Sequence, residues 1–268
     1  MFLSRGTSVM GREVTCSPPP DRIPCGARRY PRTVVALAEL ETFCSRPHAP
    51  TRRVALGSST LPCEPAPGFG GVLLGGVVAR FVAEIDPEML PDIEALTREL
   101  EVGRRIAQPR LRFRLQVDTI GLDAVTHRLI GDGEMLSFEF DDRGAPEQQV
   151  LGAVYAAGAL APTVRRPVMA IVRRAIAWGG PVGAELIASL SGFRGGVAGS
   201  RAAVGDPVKW ALERLGFARD SVAPSSRDVQ RNYRDRLREV HPDHGAKVDG
   251  AAQRIAELSE ARRILIGR

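Results

Sequence analysis

Lysine is nearly missing from this chain. Of 37 basic residues in 268, only Lys209 and Lys247 are lysine, so arginine supplies almost all of the positive charge. A bias spread along the whole chain is a compositional habit and no binding code by itself. Aromatic residues are scarce too, at 5%, while Gly and Pro together make 48 residues, so a good deal of loop or linker is expected. Long hydrophobic runs are missing. The longest uncharged stretch, residues 148–164, spans 17 residues, is rich in Ala and Gly and contains Pro162. It falls short of the roughly 20 strongly apolar residues that cross a bilayer. Residues 1–12 lack the apolar centre of a secretory signal, so a cytoplasmic location is expected. The four cysteines, Cys16, Cys25, Cys44 and Cys63, show no two-residue spacing of a zinc knuckle or redox pair. They read as unliganded thiols. Residues 68–76 are Gly-rich but have neither the spaced glycines of a dinucleotide loop nor the Lys-Ser/Thr ending of a P-loop. No metal and no cofactor are expected.

What is present is globular. Hydrophobic residues make 44% and charged residues 25%. The length suits one or two domains with a sizeable core. The net charge of +6 is unevenly placed. Residues 1–69 carry nine arginines against five acids, residues 70–205 fifteen against sixteen, and residues 206–268 thirteen basic residues against ten acids. A generic nucleic-acid binder concentrates positive charge on its folded domain. The neutral middle therefore argues against nucleic acid as a partner, and membranes are not expected partners either.

Four segments are expected. Residues 1–69 hold ten of the twenty prolines and read as mostly disordered, with only Val34 to Cys44 able to form a short helix. Residues 70–190 read as an α+β domain of unknown role, in the order β-α-β-β-β followed by helices. Alternation over residues 77–85 suggests its first strand. Asp86-Pro87-Glu88 then starts a helix carrying Leu90, Ile93, Leu96 and Leu100. Leu111, Phe113, Leu115 and Val117 alternate with polar residues as a second strand. Residues 124–130 and 135–140 flank Gly131-Asp132-Gly133 as a hairpin. Two or three helices follow between Pro146 and Leu190. His127, alone on a strand, reads as packing or surface. Arg165, Arg166, Arg173 and Arg174 bracket an apolar stripe. They suit either a basic surface helix touching lipid or a partner, or a core helix with solvated arginines. Residues 191–205, with five glycines and no acid, read as a flexible tether.

Residues 206–268 are the most informative. Asp206-Pro207 opens a short helix bearing Trp210, Leu212, Leu215 and Phe217. Ser225 or Ser226 caps a longer helix running to about Val240. At helical spacing, Val229, Tyr233, Leu237 and Val240 share one stripe of about 80°, and Arg227, Arg231, Arg234 and Arg238 share an opposite stripe of about 60°. One face is built for burial and the other is a row of guanidinium groups, which by itself also suits a solvated face. His241-Pro242-Asp243 follows. A third helix, about 251–266, has Ile255, Leu258, Ala261, Ile264 and Leu265 as its apolar stripe.

This segment resembles the J domain of the DnaJ co-chaperones. The resemblance rests on Leu215-Gly216-Phe217 closing a first helix, Tyr233 eight residues before a His, the His241-Pro242-Asp243 tripeptide, and residues 255–261 of the third helix. It covers about a quarter of the chain and implies an all-α helical hairpin with a short leading helix. It also implies docking on a DnaK-type heat-shock chaperone and stimulation of its ATP hydrolysis, with no chemistry of its own. The implied contacts are His241, Pro242 and Asp243 with the arginine row. Leu215, Phe217, Val229, Tyr233, Leu237, Val240, Leu258, Ala261 and Leu265 form the implied core. The chain departs from the family at Arg236 and Arg238, where many members carry leucines, and at Arg262, where a tyrosine is missing. It has no Gly/Phe-rich segment and no cysteine-rich zinc domain. The expected function is thus that of a divergent co-chaperone. Its middle domain serves a client of unknown identity or selects a site, and no catalytic constellation makes the chain an enzyme. The competing expectation is an Arg-rich nucleic-acid binder with a degenerate J-like hairpin.

Overall fold

The computed structural model describes residues 34–46, 49, 52–104, 113–193, 200–218, 221, 224–240 and 250–267. Order begins well before Gly70. Strand β1 (Val34–Cys44) buries Ala38, Leu40, Thr42 and Cys44 and turns Glu39, Glu41 and Phe43 to the other face. Residues 34–44 are therefore a strand, not a helix, and the reading of residues 1–69 as mostly disordered fails from Val34 onward. Ala, Leu and Glu favour helices, but here they alternate with period two beside β-branched Val34, Val35 and Thr42. β2 (Arg53–Leu56) returns antiparallel to β1, and β3 (Arg114–Gln116) lies parallel to β2. β4 (Asp123–Asp132) pairs antiparallel with the other side of β1, and β5 (Met135–Glu139) closes a hairpin on β4. The five-stranded sheet has the order β3-β2-β1-β4-β5. The expected hairpin forms, with Gly133 at φ +61° in its two-residue turn.

Residues 77–85, read as a strand, belong instead to helix α1 (Gly68–Val82) and the turn after it. Nearly every residue of α1 is buried, including Val72, Leu73, Leu74, Val77 and Val78. A helix covered on all sides shows no helical hydrophobic period, so its short apolar alternation misleads. Glycines let it approach its neighbours. A Cβ at Gly76 would stand 2.3 Å from the Phe138 ring of β5, and one at Gly75 2.8 Å from Leu190.

The Asp86 carboxylate accepts from the Glu88 N–H at 3.0 Å and leads through a short turn into α2 (Leu90–Glu101). Helices α3 (Pro146–Ala159), α4 (Pro162–Ile176) and α5 (Ala184–Leu190) follow the sheet. The element order is thus β-β-α-α-β-β-β and then helices. The class is mixed α and β, as expected, with a different start. α1 and α3 lie on the inner face of the sheet, and α4 packs on α1, α3 and α2. The core runs from Leu40, Val54 and Leu129 through Val77, Leu151 and Val154 to Val168, Met169 and Val172.

The arginines of α4 fasten it in place. Arg165 donates to the Leu160 carbonyl at 2.8 Å and Arg174 to the Ser189 carbonyl at 2.8 Å. Arg173 and Arg166 pair with Glu101 at 2.6 and 3.5 Å. These contacts match a core helix, not a free basic surface.

The tether expectation is corrected in part. Residues 201–205 form helix α6 (Arg201–Gly205), whose Ala203 and Val204 are buried. The Ser200 hydroxyl caps it by accepting from Ala203 N–H at 3.2 Å. The Arg201 N–H donates to the Glu134 carbonyl at 3.0 Å, tying α6 to the β4–β5 turn. Alanine and valine supplied a buried face that the flanking glycines concealed. Residues 194–199 of the expected tether lie outside the described residues. The last helices are α7 (Pro207–Arg214), α8 (Ser226–Val240) and α9 (Ala251–Ile266). From Val34 onward the described residues form one compact unit.

Candidate partner-docking hairpin

Helix α7 is cut to length by its caps. The Asp206 carboxylate accepts from Lys209 N–H at 3.0 Å, and Pro207 fills the first helical position. At the other end Gly216 takes φ +76°. The Phe217 N–H bonds the Leu212 carbonyl at 2.9 Å, and the Gly216 N–H bonds the Glu213 carbonyl at 3.0 Å. This pair of bonds is a Schellman cap, so Leu215-Gly216-Phe217 is a stop signal with a physical cause. Leu215 is fully buried behind it, and Phe217 is half-buried.

Helix α8 starts where Ser225 Oγ accepts from Asp228 N–H at 3.2 Å. Val229 is buried, Tyr233 and Val240 are half-buried against the core, and Leu237 is half-buried. On the opposite side Arg227, Arg231, Arg234 and Arg238 are all exposed. Arg238 lies 3.5 Å from Asp235. Arg227, Arg231 and Arg234 have no ion-pair partner among the described residues. Both expected stripes therefore form on this helix. His241, Pro242 and Asp243 lie outside the described residues.

Helix α9 closes the hairpin with Leu258 and Ala261 buried and Leu265 half-buried. Tyr233 Oη and Ser259 Oγ are 3.3 Å apart, joining α8 to α9. Arg214 of α7 pairs with Glu257 at 3.3 Å. The Arg262 guanidinium lies 5.1 Å from the centre of the Tyr233 ring, a cation–π contact between α9 and α8. Glu260 is 4% exposed and paired with Arg263, which raises the Arg263 pKa. Arg263 also donates to the Gly192 carbonyl at 3.0 Å, and Trp210 meets Phe193 edge-on at 5.5 Å. The hairpin is thereby fastened to the segment that follows α5.

Sequence patterns missed Asn232, which lies between the two stripes of α8. Its Nδ2 donates to the Leu215 carbonyl at 3.0 Å, pinning the end of α7 to α8. Only the tertiary fold brings these groups together. Gln148 and Gln149 were missed for the same reason. Gln148 Nε2 donates to Ser45 Oγ at 2.9 Å and to the Arg53 carbonyl at 3.1 Å, bracing the β1–β2 loop.

Elsewhere the titratable groups read as structural. His127 is fully buried, and its Nδ1 accepts from the Asp141 N–H at 3.3 Å. The Nε2 proton is then donated to Gln149 Oε1 at 2.9 Å. Burial pushes the His127 pKa down. Burial likewise lifts the Cys44 thiol to about 12 and the Cys63 thiol to about 11, so neither is an activated nucleophile. Among the described residues no group of three His, Cys, Asp or Glu is placed to hold a metal ion, and no helix is long and apolar enough to cross a membrane. Compared with protein-family models, curated proteins and solved structures, the chain matches none.

Proposed function

We propose that the C-terminal hairpin docks on a DnaK-type chaperone and stimulates its ATP hydrolysis, while the α/β body selects a client or a site. One observation carries this reading. α8 spends one face on packing and presents four exposed arginines on the other, three without a carboxylate partner among the described residues. Such a row steers and orients an acidic surface. The helix ends at Val240, next in sequence to His241-Pro242-Asp243. By the J-domain resemblance, those three residues meet the same partner. Pro242 has a fixed φ and no N–H, which stiffens the chain there. Asp243 offers a charged acceptor. The docked hairpin biases a two-state element of the chaperone and makes or breaks no bond itself. Asn232 and Tyr233 hold α8 against α7 and α9, and Arg214 ties α7 to α9, so the row keeps its spacing before contact.

The reading predicts salt-sensitive association with the ATP-bound chaperone. In the full chain, Arg231→Glu with Arg234→Glu lowers the association rate roughly tenfold at low ionic strength, with unchanged helix content by circular dichroism. Association indifferent to both salt and charge reversal contradicts it. Preferential binding to duplex DNA with a steep salt slope favours the nucleic-acid reading instead.

A further inference from the structure

The outer strand β5 presents a surface that the hairpin does not use. β5 is the last strand of the sheet order. Two residues join it to β4, so Asp132 and Met135 form the hydrogen-bonded pair that closes the turn. Bonded pairs alternate along an antiparallel ladder. Ser137 and Glu139 therefore aim their backbone groups at β4, and Leu136 and Phe138 aim theirs outward. No other described backbone group bonds Leu136 or Phe138. Two donor–acceptor pairs, about 7 Å apart along the strand, thus have no backbone partner among the described residues.

The side chains define what fits there. On the outer face of the sheet, charge alternates from strand to strand: Glu39 on β1, Arg128 on β4, Glu139 on β5. Arg128 Nε lies 2.6 Å from Glu39, and its Nη1 lies 3.6 Å from Glu139. One guanidinium serves two carboxylates, so the next strand position favours a cation. On the edge side Glu139 belongs to a non-bonded pair, the kind in which facing side chains come closest. On the inner face Leu136 is buried, and half-buried Phe138 stacks on Phe140 at 5.2 Å. Residues beside them are best apolar. Pairing of β5 with β5 of a second copy fits poorly. Antiparallel pairing of β5 with itself, in registers that match Leu136 and Phe138, sets Glu139 opposite Gly133, Met135 or Ser137, never a cation.

We propose that the outer edge of β5 binds an extended polypeptide segment in which a Lys or Arg lies between apolar residues, adding it as a sixth strand opposite Glu139. As a client site this rests on the co-chaperone reading; as a binding site it stands without it. The test uses the full chain and the peptide Thr-Val-Arg-Val-Thr-Leu-Ser, with acetyl and amide ends. Saturable binding is expected by NMR titration, with slowed hydrogen exchange at the Leu136 and Phe138 amides. Replacing the peptide's arginine by glutamate weakens binding roughly five- to tenfold, and Glu139→Arg in the protein reverses that preference. N-methylation of the second valine and the leucine removes the edge hydrogen bonds and abolishes binding. An N-methylated peptide that binds as well as its parent overturns the proposal. So do arginine and glutamate peptides of equal affinity, or no binding at millimolar peptide. Glu139→Arg leaves chaperone stimulation at the native level, so failure at this edge and failure of the hairpin are read separately.

Discussion

Replacing Gly216 by alanine tests the cap that shapes the hairpin. Gly216 sits at φ +76°, where an L side chain crowds its own backbone at a cost of about 1–2 kcal/mol. The new Cβ would also stand 2.6 Å from Arg236 Nη2. That guanidinium is the far end of a flexible side chain and swings aside. It then gives up its 3.0 Å contact with Glu239, an exposed pair worth about 0.2–1 kcal/mol. The expected loss is roughly 1–3 kcal/mol. Gly216→Asn meets Arg236 in the same way, but asparagine tolerates this backbone region, so it recovers about half of the first cost. Trp210, buried in α7 next to the cap, is the reporter. Urea unfolding followed by its fluorescence, in a Trp178→Phe background, reads the change. An alanine variant within about 0.3 kcal/mol of the parent, or one no worse than asparagine, refutes the cap as the cause of this chain reversal.

Other outcomes follow from the same contacts. Asn232→Ala strips the Leu215 carbonyl of its side-chain donor and lowers stability by about 1 kcal/mol in the same assay. His127 has a folded-state pKa below its ordinary value because burial disfavours the charged ring. Its neutral form is the one the fold prefers, so its contribution is present above about pH 6.5 and is lost as pH falls below that value. Urea midpoints therefore drop from pH 7.5 to pH 5, and His127→Gln flattens that limb; a midpoint independent of pH in the parent contradicts this. Asp141, held at about 2 chiefly by Arg143, adds a second loss at lower pH, between about 3.8 and 2. Cys44 and Cys63, with thiols raised by burial, stay unlabelled by a thiol reagent until the chain unfolds, as peptide mapping will show.

How much was legible depended on whether a segment's pattern was local. The β4–β5 hairpin announced itself through Gly133, and α2 through Asp86 and Pro87, because turns and caps are short-range chemistry. Both faces of α8 were legible because it packs on one side only. β1 hid behind helix-favouring residues, and its alternation matters only once β2 and β4 flank it. α1 hid because it is buried all round. The bracing amides Asn232, Gln148 and Gln149 left no trace in periodicity, since each bonds a group from another element.

The measurement closest to the central claim is single-turnover ATP hydrolysis by a DnaK-type chaperone. It uses the full chain, the chain with His241→Gln, and the chain with Arg231→Glu and Arg234→Glu. The account predicts stimulation by the native chain, loss of it with His241→Gln at any concentration, and recovery of the arginine variant at high protein, since the row governs encounter. A folded native chain that leaves the hydrolysis rate unchanged contradicts the account.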